Sequence, residues 1–264
     1  FAYLQVSRRE REIAITVKKG IDAIYALVMG VVRIVLQLTP YGILAIMART
    51  VATSDFGAIY SLGKFVLASY VALIVVFIIH LIILALTGLN PLLYVKKAAE
   101  TLIFAFTSRT SAGTLPLNIQ TQTERLGVPE GIANMSGSLG LSIGQNGCAG
   151  VYPAMLAVMI APTVGINPLN PSFLIAVILI VAISSFGVAS VGGGATFAAI
   201  LVLSALDLPI ALAGVLISVE PLIDMGRTAL NVSGSMTAGV TTARLTGELD
   251  TQIYNTLAAD KPLV

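Results

Sequence analysis

The residues best suited to chemistry lie in one apolar stretch near the end of the chain. Apolar residues lead in from 210 to 219, and small or apolar residues continue to 240. At helical spacing, polar side chains fall on or beside one face of this stretch. They are Glu220, Asp224, Arg227, Thr228, Asn231 and Ser235. A charge at bilayer depth costs roughly 2.5–3.5 kcal/mol on insertion scales, so such residues are rare and usually functional.

Two interpretations of this face are open. Carboxylates, a guanidinium, an amide and hydroxyls on one helix face could bind a zwitterion. Alternatively, Asp224 and Arg227 neutralise each other one turn apart and only support the fold.

The composition is that of a membrane protein. The chain is 56% hydrophobic and 11% charged, whereas soluble domains carry about 25% charged residues. A net charge of +2 without a basic arm predicts no nucleic-acid partner. Cys148 is the single cysteine, so the chain cannot form an internal disulfide.

Apolar segments suggest a few full membrane spans and several broken ones. The stretches 21–47 and 64–86 are long enough to cross a bilayer, which takes about 20 residues. Later segments are interrupted by a serine-rich tip at 107–116, a polar break at 144–148 and a glycine-rich tip at 187–194. Irregular backbone at bilayer depth is tolerated only where protein buries it or a wet cavity exposes it. Short apolar pieces around two such tips favour the twice-repeated unit of a transporter, and irregular connections packed by small residues are the alternative.

Basic residues predict the orientation of these segments. Five of them lie between 8 and 19, and Lys96 and Lys97 follow the second span. Cytoplasmic loops are enriched in lysine and arginine. We therefore expect the serine-rich tip to enter from the cytoplasmic side and the glycine-rich tip from outside.

Three motifs resemble those of the dicarboxylate/amino acid:cation symporters, the glutamate-transporter-like family. They are the two tips and the run Asp224-Met-Gly-Arg-Thr-Ala-Leu-Asn-Val-Ser-Gly. Within that family, segments 143–155, 191–199 and 218–224 resemble the bacterial L-cystine uptake proteins. The resemblance covers nearly the whole chain but only the C-terminal portion of the family's fold.

The resemblance implies a fold class and a division into domains. We expect an all-α, multi-pass protein of the bacterial cell membrane, with two re-entrant helical hairpins and broken helices, assembled as a homotrimer. Residues 1–55 would form a cytoplasmic lead-in and a scaffold helix, 56–245 a mobile transport domain, and 246–264 a cytoplasmic tail. The expected transport-domain segments are a membrane helix at 56–88, hairpins at 96–126 and 171–206, a broken helix at 130–165, and the last helix at 208–243.

Substrate-binding roles also follow from the resemblance. Ser111 and the backbone around Val191 and Gly192 would hold the substrate carboxylate. Asp224 would bind the ammonium with help from Thr228. These contacts would be completed by Arg227 at the distal end of the substrate and by Asn231.

Arg109, on the first tip, would steer the substrate or lock the gate. The alternative for Arg109 is an interfacial arginine that reaches toward the membrane surface.

The coupling ion is the point where the chain departs from the family pattern. Sodium-coupled members carry Asn-Met-Asp-Gly-Thr where this chain has Gly-Gln-Asn-Gly-Cys at 144–148, and an acid where it has Ser235. Both changes remove charged oxygen ligands, which hard cations prefer. The remaining candidate ligands for sodium are Ser142, Gly144, Asn146, Ser184 and Asn231. Proton coupling through Glu220 is the other option, because burial can shift carboxyl titration toward neutral pH.

The predicted function is cation-coupled import of L-cystine by an elevator mechanism. Acidic amino acids or dicarboxylates are alternative substrates, and a channel or a structural subunit is an alternative outside transport. An enzyme is not expected, because the chain has one histidine, His80, and neither a metal-ligand cluster nor a Ser–His pair. We expect no cofactor or metal besides a coupling Na⁺ or H⁺. His80 itself is expected to form hydrogen bonds between helices.

Overall fold

The computed structural model describes residues 56–188, 194–210 and 219–256, together with isolated positions before residue 50. Two compact units divide the chain, Phe1–Asp55 and Phe56–Val264. Most of the expected scaffold helix at 21–47 lies outside the described residues. So do Val191 and Gly192 of the glycine-rich tip.

The described part of the second unit is helical and contains no strand, which confirms the predicted all-α class for those residues. The helices are α1 (Phe56–Leu86), α2 (Pro91–Ser108), α3 (Ser111–Gln120), α4 (Glu130–Ser142), α5 (Tyr152–Ile160), α6 (Pro171–Ser185), α7 (Gly194–Ala205), α8 (Glu220–Thr246) and α9 (Thr251–Asn255). Two segments are π-helical: Thr121–Arg125, which follows α3, and Asn146–Val151, which leads into α5. Residues Ala161–Val164, after α5, form a 3₁₀ turn.

Two stretches of the described helices are long and apolar enough to cross a membrane. They are Gly63–Leu86 in α1 and Glu130–Val164, which runs from α4 through the π segment to the 3₁₀ turn. Large apolar side chains on α1, such as Leu67, Ile74 and Ile78, are exposed. An exposed apolar face suits contact with lipid better than contact with water.

Local sequence explains where several helices begin. Asn90 accepts a hydrogen bond from the Leu92 amide, and Pro91 occupies the first turn of α2. Asn170 and Pro171 do the same for α6. An asparagine cap followed by proline is a strong helix start, and it places the start of α2 at residue 91 rather than at 96.

The last long helix is shorter at its start than the range 208–243. Residues 208–210 are not helical, 211–218 lie outside the described residues, and α8 begins at Glu220 with Pro221 in its first turn. It continues to Thr246, where Gly247 adopts a left-handed conformation. The charged residues therefore lie in the first turns of α8 rather than in its middle.

Helix α8 is the central element of this unit. It packs against α1, α2, α3, α4 and both π segments. Val232, Met236 and Val240 of α8 join Leu84, Tyr94 and Ala98 in a buried apolar cluster. The polar face of α8 is consequently enclosed by other helices.

The base of α2 is tied to the end of the described chain by Lys97. Its ammonium group donates to three backbone carbonyls, those of Arg125 at 2.9 Å, Ile253 at 2.5 Å and Tyr254 at 2.7 Å. The Tyr254 hydroxyl donates in turn to the Asn90 carbonyl at 3.1 Å. Burial raises the pKa of Tyr254 to about 12, so this donor keeps its proton at neutral pH.

We predict that Lys97→Met destabilises the protein, because the carbonyl oxygens of Arg125, Ile253 and Tyr254 lose a charged donor. Hydrogen bonds to charged groups contribute roughly 1.5–3 kcal/mol, so thermal unfolding in detergent should show a clear fall in Tm. Lys96→Met, at the exposed neighbouring position, is the matched control. Equal Tm values for the two variants would contradict the importance of the Lys97 contacts.

Candidate functional site

The first turns of α8 carry the polar face that the sequence predicted. Arg227, Thr228 and Asn231 are buried, and the Arg227 side chain has no exposed surface. Asp224 and Glu220 are partly covered, with 19% and 15% of their side chains exposed. The structure therefore brings these five residues to one protein-lined face.

Four charged groups form a continuous row, which we call the charge cluster: Arg109, Asp224, Arg227 and Glu220. Nε and Nη2 of Arg109 each lie 3.1 Å from Oδ2 of Asp224. Nη2 of Arg227 lies 3.2 Å from Oδ1 of Asp224 and also donates to Oε1 of Glu220. An ion pair between Asp224 and Arg227 was one of the two interpretations of the sequence, and neither of them included the contact of Glu220 with the same guanidinium.

Arg109 reaches the cluster from a strained turn. It ends α2 in the left-handed region with φ 56°, and its amide donates to the Ala105 carbonyl at 3.0 Å. Left-handed backbone costs a non-glycine residue about 1–2 kcal/mol. Thr110 then caps α3 by accepting from the Gly113 amide at 3.1 Å, so the reversal between α2 and α3 aims Arg109 at Asp224.

Both guanidinium groups keep unused donors. Nη1 of Arg109, together with Nε and Nη1 of Arg227, is buried and has no hydrogen-bond acceptor among the described residues. Buried donors usually find a partner, and a guanidinium binds a carboxylate through two parallel N–H groups. The charge cluster can therefore donate hydrogen bonds to carboxylate oxygens other than those of Asp224 and Glu220.

Tyr152 is a site residue that the sequence analysis missed. Its ring lies 4.3 Å from the guanidinium carbon of Arg227, and Phe65 packs against it with ring centroids 6.5 Å apart. A cation over an aromatic face is stabilised by the ring quadrupole. The sequence did offer a signal for it, because Tyr152 lies one helical turn after Cys148 and so on the same helix face as the end of the polar break.

Asn231 joins α8 to the second π segment. Its Oδ1 accepts from the amides of Gly147 at 2.7 Å and Cys148 at 3.3 Å, and its Nδ2 donates to Cys148 Sγ at 3.1 Å. A Cβ at Gly147 would lie 2.6 Å from the Arg227 carbonyl oxygen. Only glycine permits this approach. The polar break therefore packs directly against the backbone of α8 at Arg227, a member of the charge cluster.

Ser111 lies at the start of α3, buried, on a narrow crevice that it shares with Asn231 and Ser235. The structure thus brings Ser111 toward the α8 face. Ser235 donates to the Ser136 carbonyl at 3.2 Å and accepts from Asn118 Nδ2 at 3.0 Å. A neutral network occupies the place where the resemblance expects an acid.

The structure does not bring all of the candidate cation ligands to one place. Asn146 Nδ2 lies 2.8 Å from Nε2 of His80, whose Nδ1 lies 3.1 Å from Ser233 Oγ. These contacts confirm the predicted interhelical hydrogen bonds of His80. Ser142 is exposed, and its hydroxyl donates within its own helix to the Ser138 and Leu139 carbonyls.

The carbonyl groups of Gly144 and Ser184 serve their own turns, accepting from the amides of Asn146 and Gly187. Among the described residues, no group of three His, Cys, Asp or Glu side chains could hold a metal ion.

A cavity of about 520 Å³ lies between α4, the second π segment, α6 and α8. Its walls are mainly apolar, with Gly144, Asn146, Ser185 and Ser235 among the lining residues. No member of the charge cluster lines it, so it is separate from the charged face.

The family profile described as "Sodium:dicarboxylate symporter family" matches residues 2–245. The chain belongs to this family. This confirms the resemblance on which the expected site roles were based.

Three similar proteins in this family carry the same name. The chain is 71% identical over 254 residues to "L-cystine uptake protein TcyP" of Shouchella clausii, covering 96% of this chain and 54% of that protein. Its counterparts of the same name in Bacillus licheniformis and Bacillus cereus are 69% and 64% identical, with 96% of this chain and 55% of each protein covered. The chain spans about half the length of the curated relatives it matches.

The description of this family is that of symporters, which are membrane transporters. The family description also implies a coupling cation.

We predict that Gly147→Ala disrupts the site, because the added methyl group must separate the π segment from α8. Binding of L-cystine, the compound in its relatives' name, should weaken by at least about tenfold, since Asn231 and Arg227 move together with this contact. Isothermal titration of the purified full-length protein would measure the change. Gly150→Ala is the control, because nothing lies within 4 Å of a Cβ at Gly150; similar affinities for the two variants would contradict the prediction.

Tyr152 provides a second test. We expect Tyr152→Phe to keep most of the affinity for L-cystine and Tyr152→Leu to lose roughly two- to thirtyfold, because an aromatic face under a cation contributes roughly 0.5–2 kcal/mol. Equal losses in Tyr152→Phe and Tyr152→Leu would indicate that the hydroxyl group matters rather than the ring.

Proposed function

We propose that the full-length protein containing this chain is a secondary active symporter that imports L-cystine into the bacterial cell. The observation that carries the proposal is the charge cluster, where two acids and two arginines converge on a buried helix face. The names of its relatives, which cover about twice the length of this chain, support the choice of substrate.

The proposed binding mode assigns one part of the substrate to each polar group of the expected site. Asp224 binds one ammonium group with help from Thr228, while Ser111 and the glycine-rich tip at Val191 and Gly192 hold the neighbouring carboxylate. Arg227 binds the distal carboxylate, and Asn231 keeps the polar break in place. Charge-assisted hydrogen bonds of this kind contribute roughly 1.5–3 kcal/mol each.

Acidic residues in the site argue against simple dicarboxylates. Succinate and malate have no ammonium group to offer Asp224, and their two carboxylates would meet two acids of the same sign. Aspartate and glutamate do carry an ammonium group, and they are the second candidate substrates within this family.

The coupling ion is proposed to be Na⁺ or H⁺. Asn146, Gly144, Ser142, Ser184 and Asn231 offer oxygen atoms for sodium, although several of these atoms serve contacts within the protein. Glu220 is the candidate proton carrier. Because Glu220 pairs with Arg227, a proton arriving at Glu220 would break that ion pair and leave Arg227 with Asp224 as its charged partner.

We further propose the architecture of this family for the complete protein. The α2–α3 pair and the α6–α7 pair would be re-entrant hairpins that approach from the cytoplasmic and the outer side. The unit from residue 56 would be the transport domain of an elevator, carried by a trimeric scaffold in the cell membrane. Arg109 at the first tip would then act as the gate residue.

Uptake into proteoliposomes containing the full-length protein tests this proposal. We expect saturable uptake of labelled L-cystine, driven by an imposed sodium gradient or an imposed proton gradient. Asp224→Asn and Arg227→Ala should each reduce uptake by on the order of 100-fold, since the first leaves Arg109 and the second leaves Glu220 without its charged partner in a partly covered site.

Asp207→Asn is the matched control, because Asp207 is exposed and outside the charge cluster. Uptake of aspartate or glutamate without cystine would move the substrate to the second candidate. A flux that does not saturate would indicate a channel instead.

The variant Glu220→Gln tests whether transport is coupled to protons through Glu220 or to sodium. If Glu220 carries the proton, this variant should lose proton-driven net uptake and keep exchange of internal for external cystine. Retention of proton-driven accumulation in Glu220→Gln would exclude Glu220 as the carrier.

A further inference from the structure

A chain of hydrogen bonds runs from α2 through α8 and α1 to the polar break. The ring of His80, on α1, has Nε2 2.8 Å from Asn146 Nδ2 and Nδ1 3.1 Å from Ser233 Oγ. Ser233 Oγ lies 3.0 Å from the Tyr94 hydroxyl oxygen, and that hydroxyl also donates to the Ser233 carbonyl at 3.0 Å. His80, Ser233 and Tyr94 are buried. Their polar groups therefore depend on one another for hydrogen bonds rather than on bulk water.

The direction of each bond follows from the number of protons in the chain. Tyr94 and Ser233 have one hydroxyl proton each, and a neutral histidine ring has one N–H group. The Tyr94 proton goes to the Ser233 carbonyl, so the Ser233 proton fills the contact with the Tyr94 oxygen. Ser233 Oγ then accepts from Nδ1–H of His80, and Nε2 accepts from Asn146. A ring protonated at Nε2 would instead leave one Tyr94–Ser233 contact without a proton.

This assignment fixes the orientation of the Asn146 side-chain amide. Its Nδ2 donates to His80, so its Oδ1 is not used by the ring. Oδ1 is buried and has no hydrogen-bond donor among the described residues. On the α8 side, a Cβ at Gly234 would lie 2.5 Å from Nδ2 and 3.0 Å from Oδ1, so the amide lies directly against that backbone. The result is a buried acceptor that is held in place and has no described partner.

A sodium ion is a partner that suits this atom. Side-chain amide oxygens are among the ligands that hard cations prefer, and an unsatisfied buried polar atom in a native protein calls for a ligand or an ion. Asn146 also lines the cavity of about 520 Å³, next to Gly144. A cation therefore has space to approach this residue.

We propose that His80 is a positioning residue for the coupling cation, which holds the Asn146 amide so that Oδ1 rather than Nδ2 is presented to Na⁺. This inference rests on the proposed function and selects sodium from its two coupling ions. If the amide were reversed, its N–H groups would face the ion and repel it. His80 itself acts only through Asn146, as an outer partner that orients a ligand.

Three single variants of the full-length protein test the role of the ring. His80→Leu removes the acceptor and leaves the amide free to reverse. His80→Gln offers an oxygen acceptor at the end of a side chain of similar length, so it is the conservative rescue. Ser69→Ala is the matched control, because Ser69 is another buried polar residue of α1 and donates to the Phe65 carbonyl of its own helix.

Sodium binding is measured without transport, as the rise in Tm when NaCl replaces choline chloride at equal ionic strength in detergent. We expect sodium to raise the Tm of the unaltered protein, because a ligand of the folded state stabilises it. His80→Leu should need roughly tenfold more sodium, or more still, for half of that rise. His80→Gln should recover most of the loss, and Ser69→Ala should show none.

Uptake of L-cystine into proteoliposomes should follow the same order. The sodium concentration for half-maximal uptake should rise in His80→Leu, while uptake at saturating sodium changes much less. A merely structural role for His80 would lower the Tm in both salts and leave the sodium response unchanged.

Two further measurements isolate the contact between His80 and Asn146. Asn146→Ala removes the oxygen itself, so adding His80→Leu to it should cause no further loss of the sodium response. In a nitrogen-15 NMR spectrum of histidine-labelled protein, the signal that disappears in His80→Gln should be that of a ring protonated at Nδ1.

A ring protonated at Nε2 would overturn the inference, and so would a sodium response that His80→Leu leaves intact. Proton-driven uptake of L-cystine, with no effect of sodium on uptake or on Tm, would overturn it while the proposed function stands. Absence of L-cystine uptake, together with a sodium-induced rise in Tm that His80→Leu weakens, would contradict the proposed function and support this inference.

Discussion

The rest of this structure depends on one buried cation, the guanidinium group of Arg227. None of its side chain is exposed, and it lies on a helix that follows an apolar stretch of the sequence. Burying an unpaired charge costs far more than folding can spare, so other groups must surround it. Two carboxylates, from Glu220 and Asp224, and the ring of Tyr152 fulfil that requirement. The central position of α8 follows, because only an enclosed helix can present this face to protein on every side.

Close backbone approach is the second consequence. The guanidinium can be enclosed only if the broken helix comes directly against α8, and Gly147 allows its backbone to meet the Arg227 carbonyl. The amide groups released by the break do not stay unpaired, since Asn231 accepts from Gly147 and Cys148. Polar break and polar helix are therefore one structural unit. Each supplies the hydrogen bonds that the other lacks, as irregular backbone at membrane depth requires.

Helical spacing and hydropathy were enough to predict the part of the site that lies on a single element. Asp224, Arg227, Thr228 and Asn231 share a face of α8, and the broken segment at 144–148 interrupts a long apolar stretch as expected. Partners from distant segments could not be predicted. Neither the ring of Tyr152 under Arg227 nor the reach of Lys97 to the carbonyls of Ile253 and Tyr254 has a local pattern. The start of α8 was missed because the apolar lead-in continues the helical pattern, whereas Pro221 places the first turn at Glu220.

The two ends of the α2–α3 pair are held by interactions of very different strength. At the base, Lys97 donates to three carbonyls, and the buried hydroxyls of Thr101 and Thr121 lie 2.6 Å apart. At the tip, Arg109 sits in a strained left-handed conformation, and among the described residues its side chain forms an ion pair with one partly exposed carboxylate, that of Asp224. A substrate ammonium that binds Asp224 would compete for that same carboxylate and weaken the tip contact without touching the base. On the proposed function, occupancy of the site and release of the tip would thus be linked through Asp224, which is the physical basis for proposing Arg109 as a gating residue.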